Sequence, residues 1–422
     1  MCNCYFWNIK RFLLALYHEV NTYGIIKIFI MMRKTLFTTV ILLAIGGYAF
    51  PQHISLEFPK EMIQKNDYGC PSLQIKDDTL FVCCADGIYC KDLASDSDWE
   101  PYAFQGYSLQ SFARHEDALI AVGLEEDKGG EVFILKTDGD RMHTENITPS
   151  SMHNAGGYNT PLRFTPNPAN PMSLALITKN GLYSTCDFGE SWDHMKKISS
   201  LYGGGIVYNP SDTTELLSYG ENISREGVVM RYVNFSYRDM CVVLEGRDAM
   251  SDFVIIPHNT NLRLFSSDEI ICRSDDGGKT WEYTPLKNNM IRKLLFDADD
   301  NVMYAVGNFG RCIIEGDEEN YYYFNVIYES RDDGSSWLPI FDGGRCEEQP
   351  FIYDAVLDHG SIYQFSSHGV FKVIVNKEKA SVRNMTTENH GSSDVIYDLM
   401  GRRLIPPPSH GIYIQNGKKY VR

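Results

Sequence analysis

The chain has 422 residues and a formal net charge of −16 at pH 7. Nucleic acids and anionic membranes are bound through Lys and Arg side chains that displace counterions. Because clusters of basic residues are few here, the composition argues against a nucleic-acid partner and favours a solvated acidic surface.

The first element in chain order is an apolar run from Leu36 to Ile45, which follows Met32-Arg33-Lys34 and ends in small residues up to Ala49. A basic start, a short apolar run and a small-residue exit are typical of a secretory signal peptide. We predict a signal peptide at 32–49. An amino-terminal membrane anchor is the alternative, although the run is shorter than the roughly 20 residues that a span needs.

A signal peptide begins near the amino terminus of its protein. Residues 1–31 are therefore predicted to be an extension that arises from a wrongly assigned start codon. We expect the mature chain to be exported to the periplasm, the outer cell surface or the extracellular space. We expect no stable membrane insertion after signal cleavage.

Nine cysteines follow the predicted signal peptide: Cys70, Cys83, Cys84, Cys90, Cys186, Cys241, Cys272, Cys312 and Cys346. Export makes disulfides possible, but an odd count leaves at least one thiol unpaired. The sequence has no CxxC pair, and its 11 His are scattered. No spacing matches a zinc site or a calcium loop, so we predict no metal site and no cofactor.

A recurring strand signal follows, in which a turn residue precedes alternating apolar and aromatic residues. The seven strands begin at Gly87, Gly130, Gly181, Gly227, Asp268, Asn325 and Gly369, with spacings from 41 to 57 residues. Such spacing fits the repeat of a β-propeller, whose blades are four-stranded sheets. We predict an all-β fold with a single propeller at 50–379. Seven blades are expected, and six or eight are the alternatives.

Three copies of one turn motif, Ser/Thr-x-Asp-x-Gly-x-Ser/Thr-Trp, lie far apart in this region. Their defining residues are Thr185, Asp187, Gly189, Ser191 and Trp192, then Ser274, Asp276, Gly278, Thr280 and Trp281, then Ser330, Asp332, Gly334, Ser336 and Trp337. The Asp and Ser or Thr side chains can accept hydrogen bonds from backbone N–H groups of the turn. The glycine can adopt a positive φ, and the tryptophan ring covers the corner. We predict that each copy stabilises a hairpin corner and that its Asp is structural.

This motif resembles the Asp-box, or BNR repeat, of the sialidase-like and sortilin-like β-propeller superfamily. The superfamily also includes xyloglucan-cleaving glycosidases and a photosystem assembly factor. The resemblance implies the propeller scaffold. It does not select an activity, because enzymes, receptors and assembly factors share this scaffold.

The residues that the resemblance would require for sialidase activity are not recognisable. Sialidases hold the substrate carboxylate with an Arg triad whose first member lies in a Phe/Tyr-Arg-Ile-Pro motif. Pro161-Leu162-Arg163-Phe164 has the wrong order, and Tyr328-Glu329 leads into the third corner, so we expect that pair at the blade periphery. A xyloglucanase-like carboxylate pair cannot be located among 55 acidic residues. We predict no catalytic residues.

The densest aromatic patch is Tyr321-Tyr322-Tyr323-Phe324. Exposed aromatic faces suit a carbohydrate surface, whereas packing between blades is the alternative explanation. We take Tyr321, Tyr322 and Tyr323 as the candidate ligand surface.

The end of the chain departs from the propeller pattern. Residues 380–393 are polar and are predicted to be a linker, and 394–422 are predicted to contain a hairpin with an Asn416-Gly417 turn. This ending resembles the closing segment of the sorting domains that the Bacteroidetes type IX secretion system reads. The resemblance implies that export machinery as a partner, with a remnant or a surface-attachment hairpin as alternatives.

We therefore expect an exported, non-catalytic propeller that binds a glycan or a protein through loops at one mouth of its channel. One alternative is a sialidase-like or xyloglucanase-like glycoside hydrolase with its site in the channel. Another is an assembly factor for other exported proteins.

Overall fold

A computed structural model describes residues 52–376 with gaps at 60–62, 64–71, 126–130, 138–142, 153–161, 179–180, 197–201, 223, 225, 245–249, 268, 287–288, 316–317 and 343–350. It also describes the backbone of four short segments between 396 and 421. The predicted extension, signal peptide and linker lie outside the described residues.

Seven four-stranded antiparallel sheets form a seven-bladed β-propeller, as predicted. Blades 1 to 3 consist of β2 (Ser72–Lys76), β3 (Thr79–Cys84), β4 (Gly87–Asp92) and β5 (Glu100–Ala103), then β6 (Leu109–His115), β7 (Ala118–Glu125), β8 (Glu131–Thr137) and β9 (Glu145–Asn146), then β10 (Phe164–Asn167), β11 (Asn170–Thr178), β12 (Gly181–Thr185) and β13 (Asp193–Lys196). A 3-10 turn, Ser150–Met152, lies between blades 2 and 3.

The remaining blades are built in the same way. Blades 4 to 6 consist of β14 (Tyr202–Asn209), β15 (Asp212–Glu221), β16 (Gly227–Val233) and β17 (Ser236–Leu244), then β18 (Met250–Ile256), β19 (Asn259–Ser267), β20 (Ile270–Ser274) and β21 (Glu282–Pro285), then β22 (Asn289–Asp297), β23 (Val302–Glu315), β24 (Glu318–Ser330) and β25 (Leu338–Asp342). Blade 7 consists of β26 (Ile352–Asp358), β27 (Ser361–Ser366), β28 (Gly369–Ile374) and the amino-terminal strand β1 (Gln52–Ser55).

The recurring strand signal marks the third strand of every blade, namely β4, β8, β12, β16, β20, β24 and β28. This confirms the count of seven. One start is wrong, because β24 begins at Glu318 and Asn325 lies within it. The reason is an extension of this strand that has no counterpart in the described residues of the other blades.

Strand β1 closes the ring by pairing antiparallel with β28, with Gln52 opposite Ile374 and Ser55 opposite Phe371. Just after β1, the Leu56 carbonyl accepts the indole N–H of Trp99 from blade 1 at 2.8 Å. The first and last blades are therefore held together by strand pairing and by a side-chain bond.

Seven buried apolar clusters fill the seven spaces between neighbouring blades. Between blades 2 and 3, for example, Ile120 and Val122 pack with Leu174, Leu176 and Tyr183. Burial of these side chains is the main favourable term for the fold, because each blade alone would expose both of its faces.

The strand order fixes the two ends of the channel. The first strand of each blade contacts the first strands of its neighbours around the centre. With four antiparallel strands per blade, the chain leaves each blade at the end where it entered, so all inner strands run in one direction. We call the end where they begin the upper mouth. The second-to-third strand hairpins also lie there, and the third-to-fourth strand corners lie at the lower mouth.

The carboxy-terminal segment forms a separate small sheet. The predicted hairpin pairs β31 (Ile412–Gln415) with β32 (Lys418–Val421), and its Asn416-Gly417 turn lies outside the described residues. Two further strands, β29 (Ile396–Tyr397) and β30 (Arg403–Leu404), extend it in the order β30-β29-β31-β32. Strands of two residues carry no readable alternation, which is why the sequence predicts only the hairpin.

Candidate functional site: a charged cluster and a hairpin at the upper mouth

Four charged side chains from four blades meet in the channel, and we call them the channel cluster: Arg163, Asp252, Lys293 and Asp354. The ammonium nitrogen of Lys293 lies 3.8 Å from Asp252 Oδ2 and 3.6 Å from Asp354 Oδ1. Arg163 Nη1 lies 3.7 Å from the same Asp354 oxygen. Two cations and two carboxylates therefore form one connected group across the channel.

A repeated irregularity of the inner strands places three of these residues. Five inner strands shift register near their beginning, at Leu109/Ser111, Tyr202/Gly205, Met250/Asp252, Ile291/Lys293 and Ile352/Asp354. A β-bulge re-aims the side chain that follows it. Asp252, Lys293 and Asp354 each come directly after such a shift, so they occupy equivalent positions in blades 5, 6 and 7. Arg163 directly precedes the inner strand of blade 3.

Asp252 joins three blades. Its Oδ2 accepts the backbone N–H of Leu294 in blade 6 at 2.9 Å, and its Oδ1 accepts the hydroxyl of Tyr219 in blade 4 at 3.4 Å. Burial, reinforced by the charge of Asp252, raises the pKa of Tyr219 well above its usual range. The phenol consequently stays protonated and serves as a donor to the carboxylate.

Asp354 is bound on one oxygen only. Its Oδ2 accepts the N–H of Leu73 in blade 1 at 3.0 Å. Its Oδ1 is buried and has no hydrogen-bond partner within the described residues, although two cations lie just beyond hydrogen-bonding distance. A buried carboxylate oxygen in this state suits a bridging water or a donor group of a ligand.

The same type of bond recurs at other seams between blades. Ser111 Oγ accepts the N–H of Phe164 at 3.1 Å, and Asn308 Oδ1 accepts that of Ile352 at 2.9 Å. Polar side chains of the first or second strand of a blade, near the upper mouth, thus bind the backbone of the next blade. One function of the cluster carboxylates is therefore to join blades.

Blade 6 carries a second feature of this mouth. The pairing of β23 with β24 continues for six residue pairs beyond Phe309 and Phe324, from Gly310 opposite Tyr323 to Glu315 opposite Glu318. The inner strand β22 begins at Asn289, opposite Phe309, so it does not reach these pairs. We call residues 310–323 the finger. At about 3.3 Å per residue, six pairs extend roughly 20 Å beyond the blade.

The candidate ligand residues Tyr321, Tyr322 and Tyr323 lie in the half of the finger nearer to the blade. They are opposite Cys312, Arg311 and Gly310, respectively. The backbone thus places this aromatic patch at the upper mouth, and the role of these residues stays a prediction.

The three predicted corners lie at the lower mouth and contain the same hydrogen bonds. In the second, Ser274 Oγ accepts the N–H of Gly278 at 2.8 Å, and Asp276 accepts both the N–H and the hydroxyl of Thr280 at 3.0 and 2.7 Å. The glycines at this position have φ values of 94°, 87° and 80°, which favour glycine. The equivalent bonds join Thr185 to Gly189, Asp187 to Ser191, Ser330 to Gly334, and Asp332 to Ser336.

These bonds favour the charged form of the Asp side chains. Burial alone would raise the pKa of Asp187, but hydrogen bonds from Ser191 and Thr185 lower it to about 2. Bonds from Thr280 lower the pKa of Asp276, and bonds from Ser336 lower that of Asp332. All three carboxylates are bound within their own turns, as a structural role requires.

The tryptophans of the corners differ in one respect. Trp281 and Trp337 donate their indole N–H to the carbonyls of Gly278 and Gly334 at 3.2 and 3.1 Å. The indole nitrogen of Trp192 is buried and has no hydrogen-bond partner within the described residues. Its ring instead stacks on Phe164, with centroids 6.3 Å apart.

The sequence did not identify the channel cluster. Arg163 lies in the channel, although Pro161-Leu162-Arg163-Phe164 does not match the sialidase motif. Tyr328 and Glu329 belong to the third strand of blade 6, where Glu329 pairs with Arg331 at 2.5 Å and does not join the cluster. A usable signal is the local pattern apolar-x-polar-apolar at the start of an inner strand, as in Met250-Ser251-Asp252-Phe253 and Ile352-Tyr353-Asp354-Ala355.

A different surface lies on the outer strands of blades 4 and 5. Tyr237, Met240 and Val242 of β17 and Tyr283 of β21 are exposed large apolar side chains. The assembly-factor hypothesis would use such a strip.

No cluster of three or more potential metal ligands occurs among the described residues. Within the same part of the chain, no helix is long and apolar enough to cross a membrane.

The chain is similar to known proteins in structure but not in sequence. No protein-family model matches the chain, and no curated protein matches it in sequence. Two solved structures of one extracellular domain from B. thetaiotaomicron, described as part of a one component and of a hybrid two component system, are similar, with TM-scores of 0.51 and 0.52 and 10% identity. The match covers 76% of this chain but only 40% and 39% of those chains.

A chain in a structure of the Mitotic Checkpoint Complex is similar as well, with a TM-score of 0.53 and 12% identity over 78% of this chain and 92% of that one. An ancestral GH74 enzyme gives a TM-score of 0.43 and 13% identity over 61% of this chain and 36% of that one, too low to carry an argument. At such identities the likeness establishes the propeller fold alone.

Proposed function

We propose that the protein is an exported, non-catalytic propeller that binds a glycan or a protein partner at the upper mouth of its channel. The observation that carries this proposal is the finger, a two-stranded ribbon that leaves blade 6 at the mouth where the inner strands begin. A β-ribbon that lacks support from its own blade costs conformational entropy. Recognition by an element held on a rigid scaffold accounts for that cost.

The state of the channel carboxylates supports binding without cleavage. Asp252 accepts hydrogen bonds on both of its oxygens, and Asp354 accepts one from the next blade. A glycoside hydrolase needs one carboxyl group that donates a proton to the leaving group and a second that assists attack on the sugar. Three of these four oxygens already accept hydrogen bonds that join blades, so they are poorly suited to these roles.

Export is part of the proposal and is supported by the predicted signal peptide at 32–49. The sorting-like ending at 394–422 supports the type IX secretion machinery as a transport partner. The Asp-box resemblance supports membership of the sialidase-like superfamily, because all three corners make the hydrogen bonds for which the motif provides residues.

A glycoside hydrolase is the second candidate, since two carboxylates flank the one ammonium group of Lys293 in the channel. The deciding experiment incubates the purified full chain with sialylated glycoconjugates and with plant and host polysaccharides. Retention of a ligand without release of sugars, read by mass spectrometry, is the expected result. Release that disappears in Asp252→Asn or Asp354→Asn would instead establish the hydrolase.

A further inference from the structure

In the channel cluster, the two cations are more exposed to solvent than the two carboxylates. The side chains of Arg163 and Lys293 are 27% and 23% exposed, whereas those of Asp354 and Asp252 are only 5% and 10% exposed. A group that reaches the cluster from solvent therefore meets the cations first. Such an arrangement favours an acceptor group with negative charge.

The ammonium group of Lys293 is available for such a contact. It lies 3.6 and 3.8 Å from the two carboxylate oxygens and makes no hydrogen bond within the described residues. An ammonium has three N–H donors, and strong charge-assisted bonds are shorter, at about 2.7–2.9 Å. A ligand oxygen can thus bind Lys293 without breaking a hydrogen bond in the cluster.

A third cation lies at the same mouth. Arg292 is the residue passed over by the register shift before Lys293. Its guanidinium carbon lies 4.7 Å from the ring centroid of Phe351, which directly precedes the inner strand of blade 7 at the upper mouth. In a chain with a net charge of −16, Arg163, Arg292 and Lys293 bring three positive charges to one mouth.

The finger begins on the same blade. Lys293 lies four residues along β22 from Asn289, which is opposite Phe309 at the base of the finger. Tyrosines provide faces for sugar rings, and ammonium and guanidinium groups bind carboxylate or sulfate. An extended ligand that carries both sugar rings and acidic groups fits this combination better than an acidic peptide.

We propose that the upper mouth binds an acidic glycan, with Lys293 and Arg163 contacting its carboxylate or sulfate groups and Arg292 adding to the attraction. This inference rests on the proposed binding function and specifies its ligand class. No covalent step is involved.

The test measures the affinity of the full chain for oligogalacturonate and chondroitin sulfate, and for the methyl-esterified and desulfated forms with the same sugar backbones. At least one acidic form should bind at least about tenfold more tightly than its neutral counterpart, in line with the loss of a charge-assisted bond. Its affinity should fall as salt is raised.

Variants locate the site. Lys293→Gln should weaken binding of the acidic form by about tenfold and leave the neutral form unchanged, whereas Lys293→Arg should retain most of the affinity. Lys279→Gln removes an exposed lysine at the lower mouth and should have no effect. Because Lys293 also faces two carboxylates, the melting temperature of each variant is measured, and Lys293→Arg separates loss of the site from loss of the fold.

Equal affinity for acidic and neutral glycans would overturn this inference and leave the proposed binding function intact. An unchanged affinity of Lys293→Gln for the acidic glycan would also overturn the inference. Binding of polyglutamate without binding of either acidic glycan would assign the cations to a protein partner and refute the glycan. Binding of none of these probes would also refute it, while a partner found through the finger would still support the broader function.

Discussion

Arg163 of blade 3 and Asp354 of blade 7 lie on blades that are not neighbours, yet Nη1 and Oδ1 are 3.7 Å apart across the channel. The Asp354 side chain also accepts the N–H of Leu73 in blade 1. Because Lys293 of blade 6 also lies 3.6 Å from Oδ1, this one carboxylate joins its own blade to three others at the upper mouth. Its two roles, joining blades and shaping the mouth, can be separated by mutation.

Replacing Asp354 tests the first of these roles. Asp354→Ala leaves the Leu73 N–H without an acceptor and should lower the free energy of unfolding by about 1–3 kcal/mol. Asp354→Asn keeps an acceptor oxygen and should cost less. Chemical denaturation of both variants measures the difference, and two variants as stable as the wild type would show that the bond does not contribute.

The corner tryptophans offer a matched pair. Trp337→Phe removes a hydrogen bond to Gly334, whereas Trp192→Phe removes a buried N–H that has no partner in the described residues. Both substitutions remove the same ring atoms, and Trp337 is also the more buried of the two side chains, so the bond and the burial favour the same order. Trp337→Phe should be the more destabilising by about 0.5–1.5 kcal/mol, measured by denaturant unfolding. The opposite order would refute this reading of the corners.

Acid should weaken the corners. The lowered pKa values of Asp187, Asp276 and Asp332 mean that these groups stabilise the fold fully above their unfolded pKa, near 3.9. That contribution is lost as pH falls toward the folded values, from about pH 5 to about 2. The free energy of unfolding should fall across this range, and less steeply in Asp276→Asn. Identical slopes in the two proteins would contradict the assignment.

Ring closure depends on a strand that is distant in sequence from its partner. A chain that starts at residue 56 lacks β1 and should melt at least about 5 °C below one that starts at residue 50. Removal of residues 377–422 is the control, because the strands described in that segment form a sheet of their own. Calorimetry of the three proteins makes the comparison, and equal melting temperatures of the first two would show that β1 does not close the ring.

The sequence predicts those parts of the fold whose residues lie close together along the chain, and it does not predict those whose partners are distant. Short sequence segments predict the third strands and the corners. In Ser274 to Trp281, for example, the turn and its hydrogen bonds lie within eight residues. Strand β1 carries no such signal. Its four residues pair with β28, which includes Ile374 and lies about 320 residues later in the sequence, so no local pattern predicts the pairing.

The channel cluster as a whole has no local sequence signal for the same reason. Asp252, Lys293 and Asp354 come from three blades, and each looks like an ordinary polar residue in a strand. Only the register shift before each residue, combined with the ring, brings them together. Tyr321 to Tyr323 could be singled out by composition, but their placement on the finger required knowledge of how far β23 and β24 stay paired.

Removal of the finger tests whether the upper mouth recognises a ligand without cleaving it. Replacing residues 310–323 by Asn-Gly joins Phe309 to Phe324 through a two-residue turn and leaves every described pair of β22 with β23 and of β24 with β25 in place. Affinity for the ligand retained by the wild type should fall at least about tenfold while the melting temperature is kept, and neither protein should release sugars. Unchanged affinity in the trimmed protein would show that the finger does not bind the ligand, and sugar release by the wild type would show that the protein is a hydrolase.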